Sequence, residues 1–461
     1  MAATLSHRRV ERGHPAVKRI SVIGLGKLGL CLAAVLADRG FKVVGVDVDK
    51  QKVAAVMAGR SPIYEPGLEA LLGSNRTSLT ATTDYDAAVR GTEATFVVVP
   101  TPSTKSGEFS LEYVKPVMGI LGKALVKKPT YHLVVLTSTV TPGSMDEVVL
   151  PTLEKTSGKK GGRDFGLCYN PEFIALGDVV KGLLTPDFVL VGESDPAAGD
   201  MLAEIQLRTC ANGTPIARMS FMNAEVAKIA VNSFVTMKMS FANTLAEICE
   251  RVPGGDVDAI TRAIGMDRRI GSAYLRGAIG YGGPCFPRDN VAFAAFAKRI
   301  GVDAALARAT DKVNRRQVRR IVKLIENHGI APPSKIGVLG FTYKPNTNVT
   351  EASQGLMLAE ALARKGYRVH AYDPAIGSGQ LPNRQNLILE DNVDACVEKS
   401  DLCVIATPWQ GFSTIDKSRF SDKVVLDCWR VLNGNRPSRD SAYMALGQSM
   451  TRKKVLRGRE Q

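Results

Sequence analysis

A cysteine lies within an unusual run of small and rigid residues, Gly280-Tyr281-Gly282-Gly283-Pro284-Cys285-Phe286-Pro287-Arg288-Asp289. Glycines let a ligand approach the backbone closely, and a neighbouring cation such as Arg288 favours the nucleophilic thiolate form of a cysteine. The other seven cysteines lie in apolar contexts typical of packing residues. The segment therefore predicts either a catalytic thiol at Cys285 or a structural thiol in a loop.

A second glycine-rich run, Gly24-Leu25-Gly26-Lys27-Leu28-Gly29, follows a β-branched segment and opens an apolar helical one. In such a turn the first glycine allows the bend, the second lets a pyrophosphate approach, and the third lets helix and strand pack. Asp47 ends the next predicted strand, where a carboxylate can bind the ribose hydroxyls and repel a 2′-phosphate. We predict that this segment binds NAD. The alternative is a glycine-rich turn without a ligand, followed by an acidic residue by chance. Lys52 is either a phosphate ligand or an exposed helix lysine.

Other polar residues stand where a ligand could meet them. Lys228 and Asn232 are one turn apart on a predicted long helix and share a face. They could hold an oxyanion or a sugar hydroxyl, although a solvated helix face explains the spacing equally well. Three segments follow predicted strands, on the side of an open sheet where ligands bind: Pro100-Thr101-Pro102, Ser138-Thr139-Val140 and Asn170-Pro171-Glu172-Phe173.

Alternating strands and helices must position these residues. The predicted N-terminal strands are Arg19–Ile23, Phe41–Val46, Thr95–Val99, Leu133–Leu136 and Phe188–Val191. Helices between them predict a parallel sheet covered on both faces. Residues 223–251 contain neither glycine nor proline and predict one long helix, which usually spans domains or packs against a partner. Strand and helix then alternate again from Lys335, so the two α/β ends could be distant repeats, although Gly337 and Gly340 stand alone.

The predicted fold class is α/β. It comprises an N-terminal Rossmann-type doubly wound sheet, a central helical dimerisation domain with one long helix, and a C-terminal Rossmann-like α/β domain. The expected boundaries are a basic tail at residues 1–18, a dinucleotide-binding domain at 19–215, a helical domain at 216–331, an α/β domain at 332–445, and a second basic tail at 446–461.

The chain of 461 residues has a formal net charge of +15, from 60 Lys and Arg against 45 Asp and Glu. A basic chain suits nucleic acids or small anions, but much of the excess lies in the two ends and no nucleic-acid-binding motif appears. Eight cysteines without a CxxC pair, and five scattered histidines, argue against a metal site and favour a reducing cytosol. No apolar run reaches about 18 residues. We expect a cytoplasmic protein without metal, nucleic-acid or membrane partners.

As a set, these residues resemble the UDP-glucose/GDP-mannose dehydrogenase family over most of the chain. Besides the residues above, including Lys228-x-x-x-Asn232, the order and spacing of two further segments match it: Ile63-Tyr64-Glu65-Pro66-Gly67-Leu68 and Phe341-Thr342-Tyr343-Lys344-Pro345. The resemblance implies oxidation of the C6 alcohol of a nucleotide sugar to the carboxylate with two NAD⁺. The expected substrate is UDP-glucose, with a UDP-N-acetylhexosamine, GDP-mannose or a dTDP-sugar as alternatives.

The resemblance also implies residue roles. The cysteine matching Cys285 forms a thiohemiacetal that is oxidised to a thioester and hydrolysed. Lys228 and Asn232 would stabilise the oxyanion, while Asp289, Glu172 and Thr139 would position and deprotonate water. The cofactor residues would be Gly24, Gly26, Gly29, Asp47, Lys52, Thr101 and Thr139. The substrate residues would be Glu172, Phe173, Lys228, Asn232, Arg269, Tyr281, Gly282, Lys344 and Arg430. The residue matching Arg269 reaches across a dimer interface, so we expect a homodimer through the central helical domain.

Three departures from the family pattern stand out. Leu176 replaces a glutamate expected beside the nicotinamide. The segment Asn348-Val349-Thr350-Glu351-Ala352 lacks an arginine expected to touch the cofactor, and Glu351 could take its place. The glycine loop holds Lys27-Leu28 where Tyr-Val is more usual. These changes leave the sugar identity open.

Three other functions compete with this interpretation. A β-hydroxyacid dehydrogenase would share the NAD domain, the long helix and the Lys-x-x-x-Asn pair, but would perform one oxidation and need no Cys285. A basic nucleic-acid-binding protein could use a dinucleotide as a regulator. An inactive nucleotide-sugar-binding paralogue would fit Leu176 and the missing arginine.

Overall fold

The computed structural model describes residues 17–377, 384–432 and 442–450. They divide into two compact units. The first holds the described residues up to Pro102 together with Phe109–Lys228, and the second holds Ser103–Glu108 and the described residues from Ile229 onward. Most of both predicted basic tails lies outside the described residues. The boundaries predicted near residues 215 and 331 remain predictions.

The first unit is built on one sheet. Its described strands are β1 Arg19–Ile23, β2 Lys42–Val46, β3 Leu79–Thr82, β4 Ala94–Val97, β5 Leu133–Leu136, β6 Gly166–Tyr169, β7 Val189–Glu193 and β8 Ile216–Met219. Their order is β3-β2-β1-β4-β5-β6-β7-β8. The pairs are parallel except β6 with β7, which is antiparallel. The expectation of a wholly parallel sheet was wrong at this pair, because a buried apolar run indicates burial on both faces and not strand direction.

Helices cover both faces of this sheet. They are α1 Lys27–Asp38, α2 Lys50–Met57, α3 Leu68–Ser74, α4 Tyr85–Arg90, α5 Val114–Val126, α6 Leu150–Ser157, α7 Val179–Leu184 and α8 Pro196–Thr209, with a π-helical turn at Met145–Val149 before α6. Successive residues of a strand point to opposite faces of the sheet and pack in two separate hydrophobic clusters. Ile20 and Val22 pack with α1, whereas Ile23 packs on the opposite face with residues of α5. The doubly wound architecture predicted from the sequence is confirmed.

Four helices follow, and the first is the longest. They are α9 Phe221–Cys249, α10 Val257–Gly265, α11 Phe286–Arg299 and α12 Ala305–Asn327. Helix α9 has 29 residues and begins two residues before its predicted start. The predicted long helix is therefore present, with both ends shifted by two residues.

The second unit contains a second sheet. Its described strands are β9 Lys335–Leu339, β10 Arg368–Tyr372, β11 Leu387–Leu389, β12 Leu402–Ile405, β13 Val424–Asp427 and β14 Ala442–Ala445. The order is β11-β10-β9-β12-β13-β14, with every pair parallel. Helices α13 Gln354–Arg364 and α14 Val393–Glu398, with short 3₁₀ turns at Gln410–Thr414 and Lys417–Phe420, connect the strands.

The two sheets share the same central strand order and the same glycine-containing turn after the first strand. In each sheet, the first strand in sequence lies between the second and the fourth: β2-β1-β4 in one and β10-β9-β12 in the other. The amide of Gly24 donates to Val46 O at 2.8 Å, and that of Gly340 donates to Tyr372 O at the same distance. A Cβ at Gly29 would lie 1.9 Å from Gly24 O, and one at Gly355 would lie 2.3 Å from Gly340 O. Gly340 and Gly355 are therefore the counterparts of Gly24 and Gly29, although a longer loop separates them.

This contact predicts the effect of a single added methyl group. Gly355→Ala should lower the free energy of unfolding of the second unit by about 1–3 kcal/mol, since the added Cβ collides with a backbone carbonyl that cannot move aside. Both tryptophans of the chain, Trp409 and Trp429, lie in this unit, so tryptophan fluorescence during urea unfolding reports on it. Gly411→Ala is the control, because a Cβ there meets nothing within 4 Å. Equal midpoints for the two variants would contradict the prediction.

Candidate active site

The turn between β1 and α1 fits a dinucleotide. Gly24 has φ +92°, and a Cβ there would lie 2.1 Å from Val98 O, so its identity follows from backbone geometry. A Cβ at Gly26 would meet nothing within 4 Å. Packing therefore does not require glycine at position 26, and the open space before it suits a pyrophosphate at the N-terminus of α1. The NAD-binding turn predicted from the sequence has the expected geometry.

Asp47 is buried at the end of β2 and faces the turn. Its Oδ2 accepts a hydrogen bond from Leu25 N at 2.8 Å, and Oδ1 accepts one from Asp49 N at 2.9 Å. Lys52 Nζ lies 3.6 Å from the same carboxylate with about a third of its side chain exposed. The carboxylate is thus fixed beside the turn, where it can meet a ribose. Thr101 is buried just after β4, at the same end of the strands.

Lys228 is buried on α9 and points to the segment after β6. Its Nζ donates to Glu172 O at 2.8 Å and lies 4.6 Å from the centre of the Phe173 ring. Phe173 in turn packs on Phe188, with ring centres 4.8 Å apart. Lys228, Glu172 and Phe173 are therefore brought together within the first unit. The spacing of Lys228 alone left a solvated helix face equally open, and its burial excludes that alternative.

The side chain of Glu172 has an unusual proton affinity. Burial raises its pKa to about 7, and the ammonium of Lys228 opposes part of this rise. A carboxyl group with a pKa near neutrality can accept and release a proton at physiological pH, which suits a general base. Leu176, the departure from the family pattern, lies in the same segment and packs partly buried against the core.

Cys285 occupies the start of α11 in the second unit. It is the N-cap residue of that helix and is exposed, whereas the other seven cysteines are buried or half-buried. Burial raises the pKa of all seven of those thiols, which keeps them protonated. A helix N-terminus favours a thiolate. Cys285 is therefore the cysteine whose position suits nucleophilic chemistry.

A buried carboxylate stands one turn behind this cysteine. Asp289 N donates to Cys285 O at 2.8 Å, so both residues lie in the first turn of α11. Asn232 Nδ2 donates to Asp289 Oδ2 at 2.6 Å, and Arg288 Nε lies 3.6 Å from the other carboxylate oxygen. The structure thus joins Asn232 and Asp289 in one hydrogen-bonded pair next to the cysteine. The predicted catalytic residues of the second unit are close together.

Three buried amides that the sequence did not single out hold the glycine segment. Asn314 accepts from Tyr281 N at 2.8 Å and donates to Tyr281 O at 3.0 Å, and Gln354 donates to the same carbonyl at 3.0 Å. Asn243 makes a similar pair of bonds with Ala278 N and Ile279 O. The sequence signal that could have identified these three residues is a polar side chain at a helix position that faces inward. A buried amide needs hydrogen-bond partners, so such a position indicates a polar contact with another segment.

The same segment packs closely on the loop that follows β9. A Cβ at Gly282 would lie 2.3 Å from Ala352 O, and one at Gly283, where φ is +88°, would lie 2.6 Å from the Tyr343 ring. Gly283 N donates to Glu351 O at 3.0 Å. Glu351, which the sequence offered as a substitute for a missing arginine, thus contacts the cysteine segment through its backbone.

The remaining predicted substrate residues lie in different environments. Lys344 is half-buried in the loop after β9. Arg269 is 88% exposed and pairs with Asp267. Arg430 is completely buried and donates to both carboxylate oxygens of Asp258 and to the carbonyls of Gly277 and Leu446. Its guanidinium is therefore part of the interior of this structure, and a substrate role for it remains a prediction.

Comparison with known proteins identifies the class. Models of the UDP-glucose/GDP-mannose dehydrogenase family match residues 18–208 as its NAD binding domain, 222–316 as its central domain and 337–434 as its UDP binding domain. The chain belongs to this family and is an NAD-binding nucleotide-sugar dehydrogenase. The family resemblance inferred from the motifs is confirmed.

Individual relatives carry two different substrate names. The chain is 36% identical to UDP-glucose 6-dehydrogenase AglM of Haloferax volcanii, covering 90% of this chain and 97% of that protein. It is 34% identical to GDP-mannose 6-dehydrogenase of Pseudomonas aeruginosa, covering 89% and 96%. A UDP-glucose dehydrogenase structure from Pyrobaculum islandicum superposes with a TM-score of 0.86 at 32% identity, covering 96% of this chain and all of that one.

Two further findings concern metals and membranes. Across residues 17–377, 384–432 and 442–450, no group of three or more His, Cys, Asp or Glu side chains could hold a metal ion. Within the same ranges, no helix is both long and apolar enough to span a bilayer.

The contrast among the cysteines predicts selective labelling. Iodoacetamide should modify Cys285 in the native protein at least about tenfold faster than any other cysteine, because only a thiolate reacts and burial keeps the others protonated. Peptide mass spectrometry at a series of times would measure the rates. Cys210→Ser, which removes the half-buried thiol, should leave the fast reaction intact, whereas Cys285→Ser should abolish it. Fast reaction at another site would contradict this assignment.

Proposed function

We propose that this enzyme oxidises UDP-glucose to UDP-glucuronate through a thioester on Cys285. The observation that carries the proposal is the exposed cysteine at the start of α11, with the buried Asn232–Asp289 pair one turn behind it. A dehydrogenase that performs a single oxidation has no need for this arrangement. Support for the substrate comes from the relatives named as UDP-glucose dehydrogenases.

The proposed reaction has three stages: oxidation of the alcohol, oxidation of a thiohemiacetal, and hydrolysis of a thioester. The C6 alcohol loses a hydride to NAD⁺ and a proton to a base, giving an aldehyde. The thiolate of Cys285 adds to the aldehyde carbon, and the resulting thiohemiacetal loses a second hydride to a second NAD⁺ to give a thioester. Water then adds to the thioester, the C–S bond breaks, and the carboxylate and the thiol are released. NAD⁺ is the hydride acceptor in both oxidations. Side chains of the protein bind the substrate, stabilise charge and transfer protons.

Side chains of this chain would stabilise charge and move protons. Lys228 is a buried cation held by Glu172 O, so its ammonium has a fixed position from which it can stabilise an oxyanion. Asn232, one helical turn away, can donate an amide hydrogen to the same oxygen. The family resemblance implies that Glu172, Asp289 and the Thr139 hydroxyl each help to orient water or take up its proton. The pKa of Glu172 near 7 suits that task.

A panel of nucleotide sugars tests both the reaction and the substrate. UDP-glucose should yield two NADH per sugar and UDP-glucuronate, and it should exceed GDP-mannose, a UDP-N-acetylhexosamine and a dTDP-sugar in kcat/KM. Cys285→Ser should lower the rate of uronate release by at least about a thousandfold, since the thioester cannot form. Cys210→Ser is the matched control. One NADH per sugar, or normal uronate release by Cys285→Ser, would refute the thioester route.

The same panel of nucleotide sugars also decides between UDP-glucose and GDP-mannose as the substrate. The GDP-mannose dehydrogenases that match this chain are nearly as similar as those named for UDP-glucose. Preference for GDP-mannose with two NADH per sugar would keep the chemistry and change the substrate.

We also propose that the enzyme is a homodimer that associates through α9. Helix α9 exposes Phe234, Phe241 and Ile248 at 60%, 54% and 52%, spaced seven residues apart and therefore on one face. Lys238, which lies between the two phenylalanines, donates to Ile270 O and Gly271 O. This holds the exposed segment that contains Arg269 beside the apolar face. A second copy is the partner that would cover this face and place Arg269 against another subunit.

A charge within the apolar face should separate the subunits. Phe241→Glu should convert a dimer to a monomer, because an ionised carboxylate cannot be buried there without a partner. Sedimentation velocity measures the mass. Leu306→Glu is the control, since Leu306 is 72% exposed on α12 and lies outside the α9 face. A wild-type protein that sediments as a monomer would refute the proposal.

A further inference from the structure

The loop that follows β5 presents one side chain to its surroundings. Every residue from Leu133 to Met145 is buried except Thr139, which is partly exposed. Ser138 Oγ donates to Val99 O and accepts from Val99 N, and Thr141 Oγ1 accepts from Phe109 N at 2.9 Å. The loop is therefore anchored on both sides of Thr139, and the position of this hydroxyl depends on those anchors.

The strongest anchor comes from a distant part of the chain. Glu225 Oε2 accepts from Gly143 N at 2.8 Å, and Oε1 accepts from Met145 N at 2.9 Å. Both are amides at the start of the helical turn Met145–Val149, whose N-terminal donors need acceptors. A local Ser, Thr, Asp or Asn usually fills this need. Here the acceptor is a fully buried carboxylate that lies about 80 residues away in sequence.

Glu225 also belongs to the helix that carries Lys228. The two residues are three positions apart on α9 and therefore near each other on its surface. Through its two oxygens Glu225 fixes the loop of Thr139 to α9, while Lys228 fixes the segment of Glu172 to the same helix. The first turns of α9 thus hold two separate segments of the sheet edge in place.

We propose that Glu225 is a positioning residue for the reaction, which sets the Thr139 hydroxyl relative to the Lys228 ammonium by holding Gly143 and Met145. This inference rests on the proposed function, because it assigns Glu225 a role in that reaction. A buried carboxylate is a costly way to cap one helical turn if capping is its only purpose.

The charge state of Glu225 links this arrangement to pH. Burial raises the pKa of Glu225 to about 7, the two backbone amides lower it, and Asp146 and Glu147 at the start of the helical turn raise it further. On its own helix, Lys228 is the nearest cation. Below pH 7 one oxygen carries a proton and points a donor at an amide donor, so the grip on the loop weakens. Since Glu172 also has a pKa of about 7, two carboxyl groups should have to be ionised for full activity.

The test compares Glu225→Gln with Glu204→Gln across pH 5.5–9. Log kcat of the wild type should fall with a slope of about two below pH 7, because two ionisations are required. Glu225→Gln should fall with a slope of about one, and its kcat at pH 8.5 should be about tenfold or more below wild type, with KM for NAD and sugar little changed. Glu204→Gln removes an exposed carboxylate of α8 in the same unit and should behave as wild type. An unchanged slope or kcat in Glu225→Gln would overturn the proposal, even if its melting temperature fell.

A second measurement separates this inference from the proposed function. Hydrogen–deuterium exchange of peptides covering residues 138–147 should be faster in Glu225→Gln than in Glu204→Gln, independent of any substrate. Faster exchange in an enzyme that oxidises no nucleotide sugar would refute the proposed function and leave only the anchoring contact. Equal exchange in an active enzyme would refute the role of Glu225.

Discussion

Both sheets depend on one steric constraint, which is the approach of a helix to the turn that precedes it. A Cβ at Gly29 or at Gly355 would collide with the carbonyl of Gly24 or Gly340, so helix and turn can meet only where side chains are missing. This approach sets the N-termini of α1 and α13 close to the carboxyl ends of the strands, where ligands of open α/β sheets bind. In the first unit, the space left open before Gly26 follows from the same geometry.

The sequence predicted those features whose cause is local. The glycine loop, the terminal Asp47 of β2 and the apolar strands are each specified by residues within about 30 positions, and the structure places them as expected. The long helix was predictable because residues 223–251 contain no helix breaker. The counterpart of this glycine loop in the second sheet was missed, because its two glycines are separated by a long loop that breaks the usual spacing.

Long-range polar contacts were beyond prediction for a different reason. Asn243, Asn314 and Gln354 hold the cysteine segment, yet each looks like an ordinary polar residue on a helix until its burial is known. The same is true of Glu225, whose partners lie about 80 positions away. Arg430 is a further example. The family resemblance implies a substrate contact for it, which remains a prediction, whereas burial of its guanidinium against Asp258 and two carbonyls could not be read from the sequence.

In each sheet an aspartate directly follows the second strand, Asp47 after β2 and Asp373 after β10. The two carboxylates differ in how many hydrogen bonds they already accept. A carboxylate offers about four acceptor sites. Asp47 accepts from two backbone amides and so retains room for the hydroxyls of a ribose. Asp373 accepts from Phe341 N, Thr342 N, Thr342 Oγ1, Trp409 Nε1 and Ala375 N. Four of these five donors meet Oδ2, which is therefore saturated, whereas each oxygen of Asp47 accepts from one amide, so Asp47 is the aspartate better suited to bind a ribose through this position.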